Sequence, residues 1–184
     1  MINERIKAKT KQESRKDEKP KTGFVIRSAF PSDAAVIGWH RARMFQDMGE
    51  VPPEMFEPYR AESDRWVASA LASGEYLGWL GSPSETPEII AGGAGVQLRR
   101  VPPHLLKTTN GDVRLARGKH AIVLNVFTEP EWRRCGLAAL LMREVLAWAQ
   151  TKQLDRLVLH ASAEGRQLYE HLGFVQTNEM RYAW

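Results

Sequence analysis

Between positions 133 and 138 the chain reads Arg133-Arg134-Cys135-Gly136-Leu137-Ala138, two cations and a glycine directly ahead of a helical apolar pattern. A helix N-terminus presents amides that have no intrahelical acceptor, with the positive end of the helix dipole behind them, so phosphate oxygens bind there readily. Gly136 allows close backbone approach, Ala138 keeps the first turn uncluttered, and Arg133 and Arg134 supply charge for a polyanion. The same residues also suit an ordinary strand-to-helix turn, and their spacing alone does not separate the two readings. The thiol of Cys135 has no base partner in the sequence and is read as inert. Gly92, Gly93 and Gly95 suggest a second phosphate loop, but no Lys-Ser/Thr pair follows and no helical pattern opens there, so a bulged strand is expected. His40, His104, His120, His160 and His171 show no metal-ligand spacing, and no metal is expected.

The elements that must position these residues follow from apolar periodicity and turn chemistry. Residues 24–27 read as a strand, and Pro31-Ser32-Asp33 signals the start of a helix over 34–48 that Gly49 ends. A second helical stretch is expected over 54–73, broken at Pro58, with Trp66, Val67, Ala70 and Leu71 at helical spacing. Strands are expected at 76–80 and 89–96, joined by the turn 81–87. Residues 98–119 read as a long basic loop, carrying Arg99, Arg100, Lys107, Arg114, Arg117 and Lys119 with turns at Pro102-Pro103 and Asn110-Gly111. Such a loop either touches a substrate or second subunit, or is a surface excursion. The run 121–127, rich in β-branched residues, is the strongest strand. After it, Leu137, Leu140, Leu141, Val145 and Trp148 form one apolar helical stripe. A strand over 156–160, a short helix over 164–172 stopped by Gly173, and strand material over 174–184 complete the chain.

The 184 residues, 43% of them apolar, suffice for one domain core and are short for two. No 18-residue apolar run suggests a membrane span, and the polar start has no signal-peptide h-region, so a chain that stays in the cytoplasm is expected. The single cysteine rules out an internal disulfide. The formal charge of +4 lies in residues 1–22, where eight Lys/Arg face four Asp/Glu and leave the rest formally neutral. That segment cannot bury enough apolar surface to offset its ordering entropy, so it is read as a disordered, solvated arm, with an arm for anions or RNA as the alternative. The domain then spans 23–184. Its neutrality speaks against nucleic acid as a partner.

The run from Leu124 through Asn125, Val126, Phe127, Thr128, Glu129, Pro130, Glu131 and Trp132 to Arg133-Arg134-Cys135-Gly136-Leu137-Ala138 resembles the acetyl-CoA motif of the GCN5-related N-acetyltransferase (GNAT) family. The core of that motif is Gln/Arg-x-x-Gly-x-Gly/Ala. At the expected distance, Gln167-Leu168-Tyr169-Glu170-His171-Leu172-Gly173-Phe174 is similar to the family's second signature, a short tyrosine helix ending in Leu-Gly-Phe. The resemblance runs from about residue 24 to the C-terminus and is tightest over 122–174. It implies a single mixed α/β (α+β) domain with a mostly antiparallel, splayed central sheet flanked by helices. It further implies that acetyl-CoA lies in the splay, its pantetheine arm beside Val126, Phe127 and Thr128 and its pyrophosphate on Arg133, Arg134, Cys135, Gly136, Leu137, Ala138 and Ala139. Ser162 stands where many members carry an asparagine that aids the pantetheine, which puts that contact in doubt.

The implied reaction is acetyl transfer to a primary amine, of a small molecule in the first instance, by direct attack in a ternary complex. Tyr169 is the candidate general acid for the departing CoA thiolate. The amine must lose a proton, and Glu129 and Glu131 are the candidate bases, with Asp47 and Glu50 on the first helix and a water oriented by Asn125 as further options. A protein or peptide acceptor, or a non-catalytic acyl-CoA sensor, are the alternatives on the same fold. Family habit suggests a homodimer.

Overall fold

In the computed structural model, which describes residues 23–107, 110–177, 179, 180 and 182, a five-stranded sheet runs in the order β1-β2-β3-β6-β7. Its strands are β1 (Phe24–Ser28), β2 (Tyr76–Pro83), β3 (Gly92–Arg100), β6 (Lys119–Thr128) and β7 (Arg156–Val158). A separate two-stranded ribbon pairs β4 (His104–Lys107) with β5 (Val113–Ala116). Neighbours from β1 to β6 are antiparallel and only β6-β7 is parallel, the mostly antiparallel arrangement expected. The charged arm 1–22 lies outside the described residues.

Helices cover both faces. On one side lie α1 (Ala34–Asp47) and α2 (Phe56–Ser73), and their core of Ala34, Ile37, Val67 and Ala70 meets Tyr76 and Leu80 of β2. On the other, α3 (Leu137–Thr151) buries Leu137, Leu141, Met142 and Val145 against Trp79, Ala94, Val96, Ala121 and Val123. Strand side chains alternate between these two cores because the pleat has period two. The close contact of α1 with α2 requires Gly38, where a Cβ would stand 1.9 Å from an Asp64 carboxylate oxygen. The short helix α4 (Arg166–His171) follows β7 and closes with Leu172 and Gly173.

Several expectations change. Pro58 does not break the second helix: it falls in the first turn of α2, where the missing N–H would have had no intrahelical acceptor. Asp33 precedes α1 without capping it; its carboxylate instead accepts Arg27 at 2.7 and 2.8 Å and the Phe30 amide at 2.8 Å. Gly81, Ser82 and Pro83 belong to β2 rather than to a turn, while Ile89 and Ile90 precede β3. The basic stretch 98–119 is no loop: β3 runs on to Arg100, and the hairpin β4-β5 rises from a base where Val101 donates to Gly118 O at 3.1 Å. Asp155, preceding β7, anchors that hairpin by accepting Arg114 at 2.8 Å and the amides of Arg117 and Lys119 at 2.8 and 3.0 Å. Among the described residues after Phe174 there is no strand, contrary to the strand material expected over 174–184.

The bulge expected at the glycines is real, with its extra residue across the ladder. Between the pairs Gly93↔Phe127 and Gly95↔Leu124, Asn125 and Val126 of β6 oppose the single residue Ala94. Asn125 takes the left-handed φ of +56°, which asparagine tolerates better than most residues. The glycines opposite serve close approach, since a Cβ on Gly95 would lie 1.9 Å from the Tyr76 hydroxyl and one on Gly92 2.5 Å from Phe127 O.

Candidate active site

The end of β6 leads straight into the turn on which the phosphate argument rested. Pairing of β6 with β7 covers only His120 to Ile122, against Arg156 to Val158. From Val123 to Thr128, β6 has no strand on that side among the described residues while β3 still pairs with it on the other, so a line of backbone donors and acceptors faces the opening between the two strands. Val126, Phe127 and Thr128 stand along that line.

Past Thr128 the chain makes a 3-10 turn over Pro130–Trp132 and enters α3 through two left-handed residues, Arg134 at φ +66° and Gly136 at φ +87°. The first helical hydrogen bond at that end runs from Leu140 to Gly136 O at 3.2 Å. The amides of Leu137, Ala138 and Ala139 therefore have no intrahelical carbonyl, and no side chain caps them. A Cβ placed on Gly136 would meet nothing within 4 Å, so the space beside that residue is open. Such a concave run of amides at a helix start suits a pyrophosphate.

The Arg133 side chain turns toward α1 and back onto β6. Its Nε donates to Thr128 O at 3.0 Å, its Nη2 to Asp47 at 2.5 Å, and its guanidinium lies 5.5 Å from the Phe127 ring centroid. It ties the turn to the end of α1, and Asp47, also 3.6 Å from Arg43, is thereby occupied. Cys135 points its thiol at Arg133 O, 3.6 Å away.

Tyr169, on α4, packs against the same apolar cluster as Val126 and edge-on to Phe174, with ring centroids 6.0 Å apart. Burial raises the pKa of its phenol, and among the described residues its hydroxyl has no hydrogen-bond partner. Ser162 accepts the Gly165 amide at 3.1 Å and so shapes the turn into α4; its hydroxyl proton remains available to donate.

The two flanking glutamates part company. Glu131 is exposed. Glu129 is tucked under α1: His40 Nε2 lies 3.4 Å from its Oε1, too poorly aligned for a good hydrogen bond, and Trp39 Nε1 donates to that oxygen at 3.2 Å. The contact with His40 first, against the opposing effect of burial, and then Trp39 and the charge of Arg43 hold the Glu129 carboxyl below its ordinary range. The side chain of Asn125 is engaged within the protein at both ends. Its Oδ1 accepts Arg41 at 2.8 Å and its Nδ2 donates to the Tyr76 hydroxyl at 3.1 Å. Burial pushes that phenol up to about 12, with Asn125 and Arg41 acting the other way. Trp39, His40 and Arg41 gave no signal in the sequence, because their partners lie more than eighty residues away. Among the described residues no group of three His, Cys, Asp or Glu could hold a metal ion, and no helix is long and apolar enough to cross a membrane.

A splayed sheet with an amide-lined turn at the mouth of the splay is the architecture of a CoA-dependent acyltransferase, and the Acetyltransferase (GNAT) family profile matches residues 35–174. The chain belongs to that family. A GCN5-related N-acetyltransferase from Ralstonia eutropha JMP134 is similar at 25% identity and TM-score 0.75, over 88% of this chain and 99% of that one. The structure described as a "predicted acetyltransferase with acetyl-CoA" from Clostridium acetobutylicum shares the fold at 23% identity and TM-score 0.69, over 88% and 96%. Glucosamine-6-phosphate N-acetyltransferase from Arabidopsis thaliana does so at 16% identity and TM-score 0.61, over 88% and 98%. No curated protein matches the sequence.

Proposed function

We propose that this protein transfers the acetyl group of acetyl-CoA to a primary amine of a small molecule, by direct attack in a ternary complex. The observation that carries this reading is the continuity of unpaired backbone along β6, from Val123 to Thr128, with the open amides of Leu137, Ala138 and Ala139. A pantetheine amide chain matches the first and a pyrophosphate the second. Arg134 and Cys135 lie in the same turn and contribute backbone, while Arg133 holds the turn in place. Ser162 contributes at most one donated hydrogen bond.

Tyr169 acts on the departing sulfur. Burial keeps its phenol protonated, and a thiol of ordinary pKa, about 8.5, lies below it. Complete proton transfer is therefore uphill, and the hydroxyl works chiefly by donating a hydrogen bond to the thiolate as it forms. Of the two glutamates, Glu129 is the better placed to receive the amine's proton, directly or through water, because it stands at the end of β6. Its lowered pKa makes it a weak base, so it passes the proton on to solvent water rather than storing it. Glu131 remains the second candidate.

Free-thiol release from acetyl-CoA, measured against pooled small amines and pooled peptides, tests the reading. Release that depends on small amines is the expected result; tight acetyl-CoA binding without release under any amine or peptide would make the protein a binder and not an enzyme.

A further inference from the structure

Three arginines among the described residues are neither buried nor exposed: Arg41, Arg43 and Arg60. Two of them have carboxylate partners, Arg43 with Asp47 at 3.6 Å and Arg60 with Glu57 at 2.7 Å and Asp64 at 3.2 Å. Arg41 has none among the described residues. Its Nη1 donates to the neutral Oδ1 of Asn125 at 2.8 Å, and its guanidinium carbon stands 4.8 Å from the Phe45 ring centroid and 5.9 Å from that of Tyr59. Removing a cation from water without a counter-ion is unfavourable, and contacts with aromatic faces offset only part of that cost. A guanidinium carries five N–H donors in a rigid fork that matches a carboxylate or phosphate, and here one of them is spent on an amide oxygen.

Its position gives this vacancy a meaning. Asn125, to which Arg41 is bonded, is the left-handed bulge residue within the stretch of β6 whose outer edge is unpaired, and α1 brings Arg41 over the opposite face of that strand. If acetyl-CoA lies along that edge, as proposed above, Arg41 faces the ground from which an amine would approach. We propose that Arg41 docks an anionic group of the acceptor, so that the acceptor is an amine that also carries a carboxylate or a phosphate. Phe45 and Tyr59 hold the guanidinium plane and Asn125 fixes one corner of it, which leaves the remaining donors set before the ligand arrives. The inference rests on the acetyltransfer reading and narrows it to small zwitterionic amines.

The experiment compares acceptors that differ only in the anion. β-Alanine is set against β-alaninamide, and phosphoethanolamine against ethanolamine, with thiol release from saturating acetyl-CoA as the readout in wild type, Arg41→Gln and Arg41→Lys. The expected result is a kcat/KM roughly 10- to 100-fold higher for the anionic member of at least one pair, the worth of a charge-assisted hydrogen bond or two. Arg41→Gln should abolish that preference through the acceptor KM and leave acetyl-CoA affinity unchanged. The carboxylate and phosphate pairs say which anion is bound. Neutral amines used as well as their anionic partners by wild type, or a preference that survives Arg41→Gln, overturns the proposal; the wild-type comparison needs no variant to fold. Calorimetric titration of CoA-saturated protein with β-alanine and phosphoethanolamine separates the two readings. Binding of either anion without thiol release, lost in Arg41→Gln, sinks acetyl transfer and supports the Arg41 site; binding of neither, or binding equal in wild type and variant, overturns the site.

Discussion

Gly136 and Gly74 form a matched pair for testing what the turn ahead of α3 is for. Both are left-handed, at φ +87° and +75°, both border a helix, and a Cβ on either meets nothing within 4 Å. Alanine at either position pays the left-handed backbone penalty, about 1–2 kcal/mol, partly offset by about 0.4–1 kcal/mol from the stiffer unfolded chain. The net loss, on the order of 1 kcal/mol, lowers Tm by about 2–4 °C in a chain of this size. Stability alone therefore cannot tell the two apart. Ligand binding should. Gly74 closes α2 and borders no unpaired helix start, whereas Gly136 directly precedes the unpaired amides, and the backbone shift that alanine forces at φ +87° re-aims Leu137 and Ala138 N–H and weakens one or two charge-assisted bonds, at about 1.5–3 kcal/mol each. That is a loss of roughly 10- to 100-fold or more in affinity. The assay is calorimetric titration with CoA and acetyl-CoA beside thermal unfolding, for wild type, Gly136→Ala and Gly74→Ala. If Gly136→Ala binds CoA within about threefold of Gly74→Ala, the pyrophosphate does not use these amides and the argument from the open helix start fails.

Replacing Tyr169 by Phe keeps the packing on Phe174 and removes the donor, so kcat should fall by roughly 10²-fold with acetyl-CoA affinity nearly unchanged; single-turnover thiol release beside calorimetric titration checks this, and an unchanged kcat removes the phenol from the reaction. Tyr76 gives a stability signature at high pH. Its folded pKa is raised to about 12 from 10.0, so its stabilising contribution is complete below pH 10 and about 3 kcal/mol of it is lost as pH climbs to 12; urea unfolding of wild type and Tyr76→Phe should converge over that interval, and parallel profiles would count against it. Burial pushes Asp155 upward, but the Lys119 amide, Arg114 and the Arg117 amide together hold it below its ordinary range. A depressed carboxylate contributes above its unfolded pKa and ceases to as pH falls through the folded one, so Asp155→Asn should speed amide exchange at Arg117 and Lys119 at neutral pH and make no difference near pH 2.

The parts legible in the sequence were those where local pattern and burial agree. Leu137, Leu141 and Val145 recur at helical spacing because α3 covers one face of the sheet, and Gly136 marks its start because only glycine takes that φ freely. The hairpin β4-β5 was missed for the opposite reason. Leu105 and Leu115 pair across it at 70% and 66% exposure, so apolar residues stand on its solvent face and proline and glycine dominate the signal. Gly81 looked like a turn and is a strand residue because Leu137 packs where its side chain would be, with a Cβ falling 2.5 Å from Leu137 Cδ1, a constraint fifty-odd positions away in the chain. Arg41 was invisible for the same reason: nothing local marks a residue whose partner is Asn125.

The bulge at Asn125 connects the two halves of the site. Along β6, Ala121 and Val123 face α3, and Leu124 faces α1 with the core of α2. Strict alternation would send residue 125 to the α3 face, residue 127 with it, and residue 129 after them. The extra residue breaks that phase. Asn125 bonds Arg41 on α1 and Phe127 meets the His40 ring at 5.1 Å, while Val126 packs on the α3 side. Glu129 consequently emerges beneath Trp39 and His40 instead of over Leu137. The unpaired edge that suits a CoA arm exists because β7 stops short. The Glu129 carboxylate beneath α1 and the Arg41 guanidinium on α1 meet on one face because β6 carries one residue too many. A straight strand with the same motif would keep the turn and lose these side chains from the face proposed for the acceptor, which is why the motif from Arg133 to Ala138 points to the proposed cofactor chemistry so much more readily than to the amine.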